Sequence, residues 1–244
     1  MRWREFCDRF LVVRKCAGCG EILSYPQCHD AFCSACQLRF RVAKTENCKT
    51  CFRPAFECTC MPKGLSASGA LCLRKLIFYR ADRSQEAENR LIYDLKHRPS
   101  KRKADFVAKE LSAAVKEELA VLGGSVYARN TVIVSVPRGI RARIDYGFDQ
   151  SELIAKSLSD DLGIPYAPAI GRRRGGREQK KLSRDRRFRN VSHLFHLRDA
   201  DAVRDRCVLL FDDVVTTGAS MAACVTLLRN AGARSVICFC IAQD

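Results

Sequence analysis

Four apolar residues in an unbroken run, Val208 to Phe211, lead directly into two adjacent carboxylates, Asp212 and Asp213. Such a run suits a parallel strand covered on both faces. Beyond it lie Val214, Val215, Thr216, Thr217, Gly218, Ala219 and Ser220, a turn with hydroxyls and a glycine. Residues 221–231 then carry Ala222, Val225, Leu228 and Ala231 at helical spacing, and Gly232 provides the stop. The same alternation extends upstream. The pattern predicts a strand over 73–79 and helices over 86–96 and 104–122, the second ending at Gly123-Gly124. It predicts a β-branched strand over 132–136 stopped by Pro137, and an amphipathic helix over 149–162 ended by Gly163. A short strand over 166–170 and a final apolar strand over 235–241 complete the series. Strands alternating with helices imply an α/β fold around a parallel sheet.

The first 62 residues have little periodicity of either kind and are dominated by cysteine pairs. The spacing is Cys16-x2-Cys19, Cys33-x2-Cys36, Cys48-x2-Cys51 and Cys58-x-Cys60. Two such pairs complete a closed tetrahedral zinc site, so the pattern predicts one or two structural zinc ions. A stretch this poor in regular structure needs an external staple of that kind. Sequential pairing puts Cys16, Cys19, Cys33 and Cys36 on one ion and Cys48, Cys51, Cys58 and Cys60 on the other. A cross-braced pairing fits the spacing too, and Cys28 or His29 could replace a ligand at the second site, where one spacer is short. A redox role for the pairs is the competing reading. Cys207, Cys224, Cys238 and Cys240 sit in apolar surroundings and read as small buried hydrophobes. The turn-forming stretch 62–69 marks a boundary, giving a zinc-ribbon module over 1–62 and an α/β domain over 63–244.

Charge adds a second theme. The 244 residues hold 43 lysines and arginines against 27 acids, a formal net of +16. Segment 172–189 carries ten basic residues and two acidic ones, and segment 96–103 carries five basic residues and no acid. Clustering of this kind fits a polyanionic partner, either nucleic acid or a pyrophosphate-bearing substrate, better than a merely solubilising surface. No apolar run approaches the length of a membrane span, and 10–13 is too short for a signal-peptide core. The expectation is a cytoplasmic protein without membrane insertion.

The turn after Asp213 aims backbone N–H groups and a helix N-terminus at one point, which suits a phosphate. Two carboxylates beside a phosphate cradle would repel a bare phosphate. A ribose 5-phosphate resolves the conflict, because the carboxylates accept from the 2′- and 3′-hydroxyls while the turn holds the phosphate. The bland alternative is a strand-to-helix turn with solvated acids. A further loop, 138–147, follows the strand at 132–136 and holds Arg138, Gly139, Arg141 and Arg143, suited to bidentate pyrophosphate contacts. The basic stretch 171–189 includes Gln179 and Arg187 and could close over an anion, or serve as a solvated linker or nucleic-acid patch.

The loop 212–220 is similar to the phosphoribosyl-pyrophosphate (PRPP) loop of type I phosphoribosyltransferases. Together with Leu95-Lys96, Val136-Pro137, Gly147-Phe148-x-Gln150, Gln179-x2-Leu182-x4-Arg187-x2-Asn190 and the cysteine module, the order resembles the ComF family. These are late-competence proteins with a double zinc ribbon joined to a phosphoribosyltransferase domain. The resemblance covers nearly the whole chain. It implies that Asp212 and Asp213 act on the ribose, 216–220 on the 5-phosphate, 138–147 on the pyrophosphate, and 179–190 as a flexible hood. It also implies PRPP with Mg²⁺, pentosyl transfer, and a place in DNA uptake and transformation. The alternative within that family is a catalytically inactive zinc-ribbon adaptor for single-stranded DNA and a competence helicase. The family usually reads Arg-Gly-Phe-Asn-Gln where this chain has Tyr146-Gly147-Phe148-Asp149-Gln150, which makes the loop less cationic, while Asp149 could still cap the following helix through its side-chain oxygen.

Overall fold

A computed structural model describes residues 13–80, 82, 86–124, 129–139, 148–173 and 193–244. Two short strands, β1 (Arg14–Lys15) and β2 (Ile22–Leu23), pair antiparallel and are followed by helix α1 (Ser34–Lys44) and a single helical turn, α2 (Lys63–Ser66). Strand β3 (Leu73–Phe78) enters the main sheet, and helices α3 (Ala87–His97) and α4 (Lys101–Leu122) lead to β4 (Thr131–Ser135). Helix α5 (Gln150–Leu162) precedes β5 (Ile170–Arg172) and β6 (Phe195–Leu197). The chain closes with β7 (Cys207–Val215), α6 (Ala219–Asn230) and β8 (Ser235–Gln243). The main sheet has the order β3-β8-β7-β4, and every pairing in it is parallel.

The apolar run on β7 is buried on both faces because a strand alternates its side chains. Val208 and Leu210 join Met221, Val225 and Leu228 of α6 in one cluster. Leu209 and Phe211 point the other way and join Val107 and Leu111 of α4 with Ile154 and Leu158 of α5. Burying each such side chain is worth roughly 1.5–3 kcal/mol, so this strand anchors both layers. Cys207, Cys224, Cys238 and Cys240 are all buried, as small apolar residues would be, and burial raises their thiol pKa values.

Two elements differ from the sequence pattern. The expected strand over 166–170 is reduced to one bridge, Ile133 to Tyr166, and β5 instead pairs antiparallel with β6 outside the main sheet. Pro165 and Pro168 have no N–H to give a ladder, which explains the break. Conversely, α1 forms where no helix was expected. Only Cys36 and Phe40 of its residues are buried, while Leu38 and Val42 are exposed, so it has no apolar stripe to read.

Residues on both sides of position 62 share one apolar cluster. Phe32, Phe40 and Phe106 meet with ring centroids 5.2–5.7 Å apart, and Lys44 pairs with Glu110 at 2.6 Å. Arg74 of β3 donates to Glu117 and Glu118 at 2.7 Å and to the Phe56 carbonyl at 3.1 Å. The cysteine module is therefore docked on the α/β domain. Among the described residues, no helix is long and apolar enough to cross a membrane.

Candidate functional site

The eight cysteines gather into two groups of four, Cys16, Cys19, Cys33 and Cys36, and Cys48, Cys51, Cys58 and Cys60, with ligand atoms in each group within 4.8 Å of one another. Pairing is therefore sequential, and neither Cys28 nor His29 joins a group. Zn–S bonds of about 2.3 Å in a tetrahedron place sulfurs about 3.8 Å apart. Cys19 and Cys33 are 3.7 Å apart and Cys51 and Cys58 are 3.6 Å apart, so both groups fit a zinc ion. In the first, burial opposes ionisation of Cys16. The backbone N–H groups of Cys19, Cys33 and Gly18 outweigh it and bring that thiol down to about 7. In the second, burial again opposes, but the N–H groups of Cys51 and Thr50 bring Cys48 down to about 6. One thiol in each group is thus prepared as a thiolate, the form a metal needs.

The second site is built at the carboxyl end of β7. Asp212 and Asp213 are the sixth and seventh residues of that strand, and the strand runs on to Val215. Ser151 donates to Asp212 Oδ1 at 3.2 Å, and the Asp213 N–H donates to the same oxygen at 2.9 Å. Burial, with the Asp213 charge alongside, pushes the Asp212 carboxyl well above the ordinary range. Asp213 accepts from Arg138 Nη2 at 3.4 Å, which places one cation of the loop after β4 beside the acidic pair. Asp149 accepts from the Arg138 N–H at 2.9 Å and from the Glu152 N–H at 3.2 Å. It is therefore both the cap of α5 and the tether that sets the start of the arginine loop.

The turn supplies the other half. Val214 and Val215 remain in the strand; the Val214 N–H is taken by Asp213 Oδ1 and the Val215 carbonyl by the Asp244 N–H. Thr216 and Thr217 are exposed, and Gly218 is buried with φ +74° at the N-cap of α6. Gly218 has no side chain to cap that helix, Thr217 Oγ1 accepts from the Ala219 N–H at 3.5 Å, and the first turn holds no acid. Ala219 and Ser220, half-buried, begin it. Beyond the Ala219 N–H, the N-terminus of this twelve-residue helix offers N–H donors and the positive end of the dipole to an anion.

Arg138 and Gly139 belong to this neighbourhood, and Gly139 lies beside Arg172 of β5. Arg141, Gln179 and Arg187 lie outside the described residues. The antiparallel strands β5 and β6 lie on either side, in the sequence, of the basic stretch containing the last two. Three functional residues were missed by the sequence reading: Ser151, which binds Asp212, Asp149 as a tether, and Lys75. The last is a lysine within an apolar strand, where only a buried partner would hold it, and its Nζ lies 3.4 Å from Cys58 Sγ.

Parts of the chain are similar to known proteins. The phosphoribosyl transferase domain family matches residues 149–244. The DNA utilization protein YhgH of Escherichia coli (strain K12) is 37% identical over 112 residues, covering 46% of this chain and 48% of that protein. The chain thus spans about half the length of the curated relatives it matches. Among solved structures, phosphoribosylpyrophosphate synthetase from Mycobacterium smegmatis is 23% identical with a TM-score of 0.34, covering 55% of this chain and 33% of that one. A hypoxanthine phosphoribosyltransferase from Staphylococcus aureus is 14% identical with a TM-score of 0.36, covering 59% and 65%. The family match and the curated relative bear out the resemblance to the ComF family drawn from the motifs.

Proposed function

We propose, from a phosphoribosyl transferase domain over residues 149–244, that this chain binds PRPP or a closely related phosphoribosyl ligand. In this reading a zinc module over 1–62 is joined to a ligand-binding domain over 63–244. One observation carries it: the Asp212–Asp213 pair lies near the carboxyl end of β7, and the turn after that strand opens a helix whose first turn holds no acid, so acceptors for sugar hydroxyls adjoin donors for a phosphate. Asp212 and Asp213 would accept from the ribose 2′- and 3′-hydroxyls, 216–220 would hold the 5-phosphate, and Arg138 would face the pyrophosphate. Val214 and Val215 would contribute by fixing the turn, and Gly139, Arg141, Gln179 and Arg187 by closing around the pyrophosphate. Bound Mg²⁺ would share pyrophosphate oxygens and offset their charge. In a pentosyl transfer, positive charge grows on ribose carbon 1 as pyrophosphate departs. The protein's part would be orientation and fixed negative charge nearby, not a covalent intermediate.

Calorimetry with PRPP and Mg²⁺ on zinc-loaded protein tests this. Binding to the native chain that is lost in Asp212→Asn/Asp213→Asn supports it; no binding to the native chain sinks it.

A second reading is a catalytically inactive zinc-ribbon adaptor that handles single-stranded DNA with a helicase partner during DNA uptake. It is favoured by the excess of basic residues and by a curated relative described as a DNA utilization protein. The two readings are compatible, since a phosphoribosyl ligand could act as a signal to such an adaptor.

A further inference from the structure

We propose that the groove between the first cysteine group and helices α3 and α4 binds single-stranded nucleic acid through its backbone and one base-stacking tyrosine. This sharpens the second reading by giving the strand a surface, and it uses no residue of the phosphoribosyl site. The groove encloses about 1200 Å³ and is lined by nine lysines and arginines and four carboxylates.

Most of the acids are already spent. Asp94 pairs with Lys103, Asp105 with Lys101 at 2.9 Å, and Glu110 with Lys44 at 2.6 Å. Arg41, Arg90, Arg98 and Lys109 are exposed and form no ion pair with any described residue. They come from α1, α3, the α3–α4 junction and α4, so they trace a path longer than a single phosphate. The path passes the N-terminus of the 22-residue α4, whose first turn has no acid. There the Ser100 hydroxyl and Arg102 Nη1 are buried without a hydrogen-bond partner. Burial and the neighbouring Arg14 both disfavour the Arg102 charge. The Arg102 guanidinium is thus held near Arg14 with its Nη1 donors unused, an arrangement that an anion at that point would relieve.

Tyr93 decides what kind of polyanion fits. It lines the groove, is 64% exposed, and is stacked on His97 with centroids 3.9 Å apart and planes 26° apart. One face of its ring is backed by the imidazole. The exposed ring offers an unpaired base a surface to stack on, and a duplex hides its base faces within its own stack. An acidic protein segment would satisfy the charges but would give this aromatic shelf no role. DNA and RNA single strands share the chemistry used here.

Fluorescence anisotropy on the zinc-loaded full chain, with labelled oligothymidylate and oligouridylate, tests the proposal. Native protein should bind with a steep salt dependence. Arg90→Glu/Arg98→Glu should weaken binding at least tenfold and lower the slope of log affinity against log salt by roughly 0.7 per lost phosphate contact. Tyr93→Ala should weaken it about fivefold or more at every salt concentration. PRPP binding should be unchanged in both variants, which checks their folding. The relative affinity of the two oligonucleotides then tells whether DNA or RNA is the better ligand. If the native chain binds both oligonucleotides and the variants do so equally well, the groove is overturned while the DNA reading survives with its contacts elsewhere. If the native chain binds neither, both fall together. If polyglutamate competes on equal terms and Tyr93→Ala changes nothing, the occupant is an acidic protein and the nucleic-acid proposal is wrong.

Discussion

Lys75 Nζ lies 3.4 Å from Cys58 Sγ and 2.5 Å from the Cys60 carbonyl oxygen, on a side chain that is 1% exposed. A buried ammonium group costs several kcal/mol unless an opposite charge faces it. A zinc ion held by four thiolates leaves that site with two net negative charges, which is what such a lysine can offset. The strand of the α/β domain would thus supply the outer contact to a zinc ion held by that group.

Replacing Lys75 with methionine keeps the volume and removes the charge. Zinc at the second group should then be held about 10- to 100-fold more weakly, with the first group unaffected. Competition with a colorimetric chelator reads this directly: one of two zinc equivalents should leave early in Lys75→Met. Identical release from native and variant protein would separate Lys75 from the metal.

Asp212 predicts a conflict between ligand binding and stability. Its carboxyl is held protonated more firmly in the fold than in the unfolded chain, where its value is about 3.9. The fold therefore loses stability as pH rises above that ordinary value toward the raised one. Asp212→Asn removes the penalty. It should melt at least ~2 °C above native at neutral pH, the shift expected from about 1 kcal/mol in a chain of this size, and lose the advantage near pH 4. The same variant should lose phosphoribosyl binding. A melting difference that is the same at both pH values would show that burial of Asp212 carries no such cost.

The strand-helix alternation was legible because each core strand buries an unbroken or β-branched run and each long helix keeps an apolar stripe. The acid pair and the turn after it were legible for a related reason: two charges directly behind a fully buried run mark where that strand nears its end. The two groups of four cysteines were read from spacing alone. What escaped was tertiary. Helix α1 buries only Cys36 and Phe40, so its stability comes from Phe106 and the cysteine group rather than from its own pattern. Asp149 was legible as the cap of the following helix, and its Oδ1 accepts from the Glu152 N–H. Its second bond, to the Arg138 N–H, had no local signal, because Arg138 is eleven residues away.

Gly218 has φ +74°, and a Cβ there would lie 3.2 Å from Pro62 Cγ and 3.3 Å from Leu65 Cβ. An L side chain in that conformation costs about 1–2 kcal/mol before any crowding is counted. Gly218→Ala should destabilise the protein by about 1–3 kcal/mol. The expected sign is a lower denaturant midpoint at unchanged slope, with weaker phosphate affinity. A neutral effect on both would mean that the turn does not depend on this backbone conformation.

The neighbours of Gly218 also tie the turn to the second cysteine group. Cys60 is two residues from Pro62, and Leu65 is fully buried on α2, so a metal on that group fixes the segment that packs over the turn. Losing the metal should free this segment and let the turn relax, although β7 and α6 retain their own cores. Cys48→Ser/Cys51→Ser should therefore lower phosphoribosyl affinity about tenfold, an effect of roughly 1.4 kcal/mol. Cys16→Ser/Cys19→Ser, at the group remote from the turn in sequence, should lower it far less. Calorimetry on both variants, alongside circular dichroism to confirm that the sheet persists, separates the cases. Equal losses from the two groups would assign the effect to general unfolding of the module rather than to the contact at Gly218.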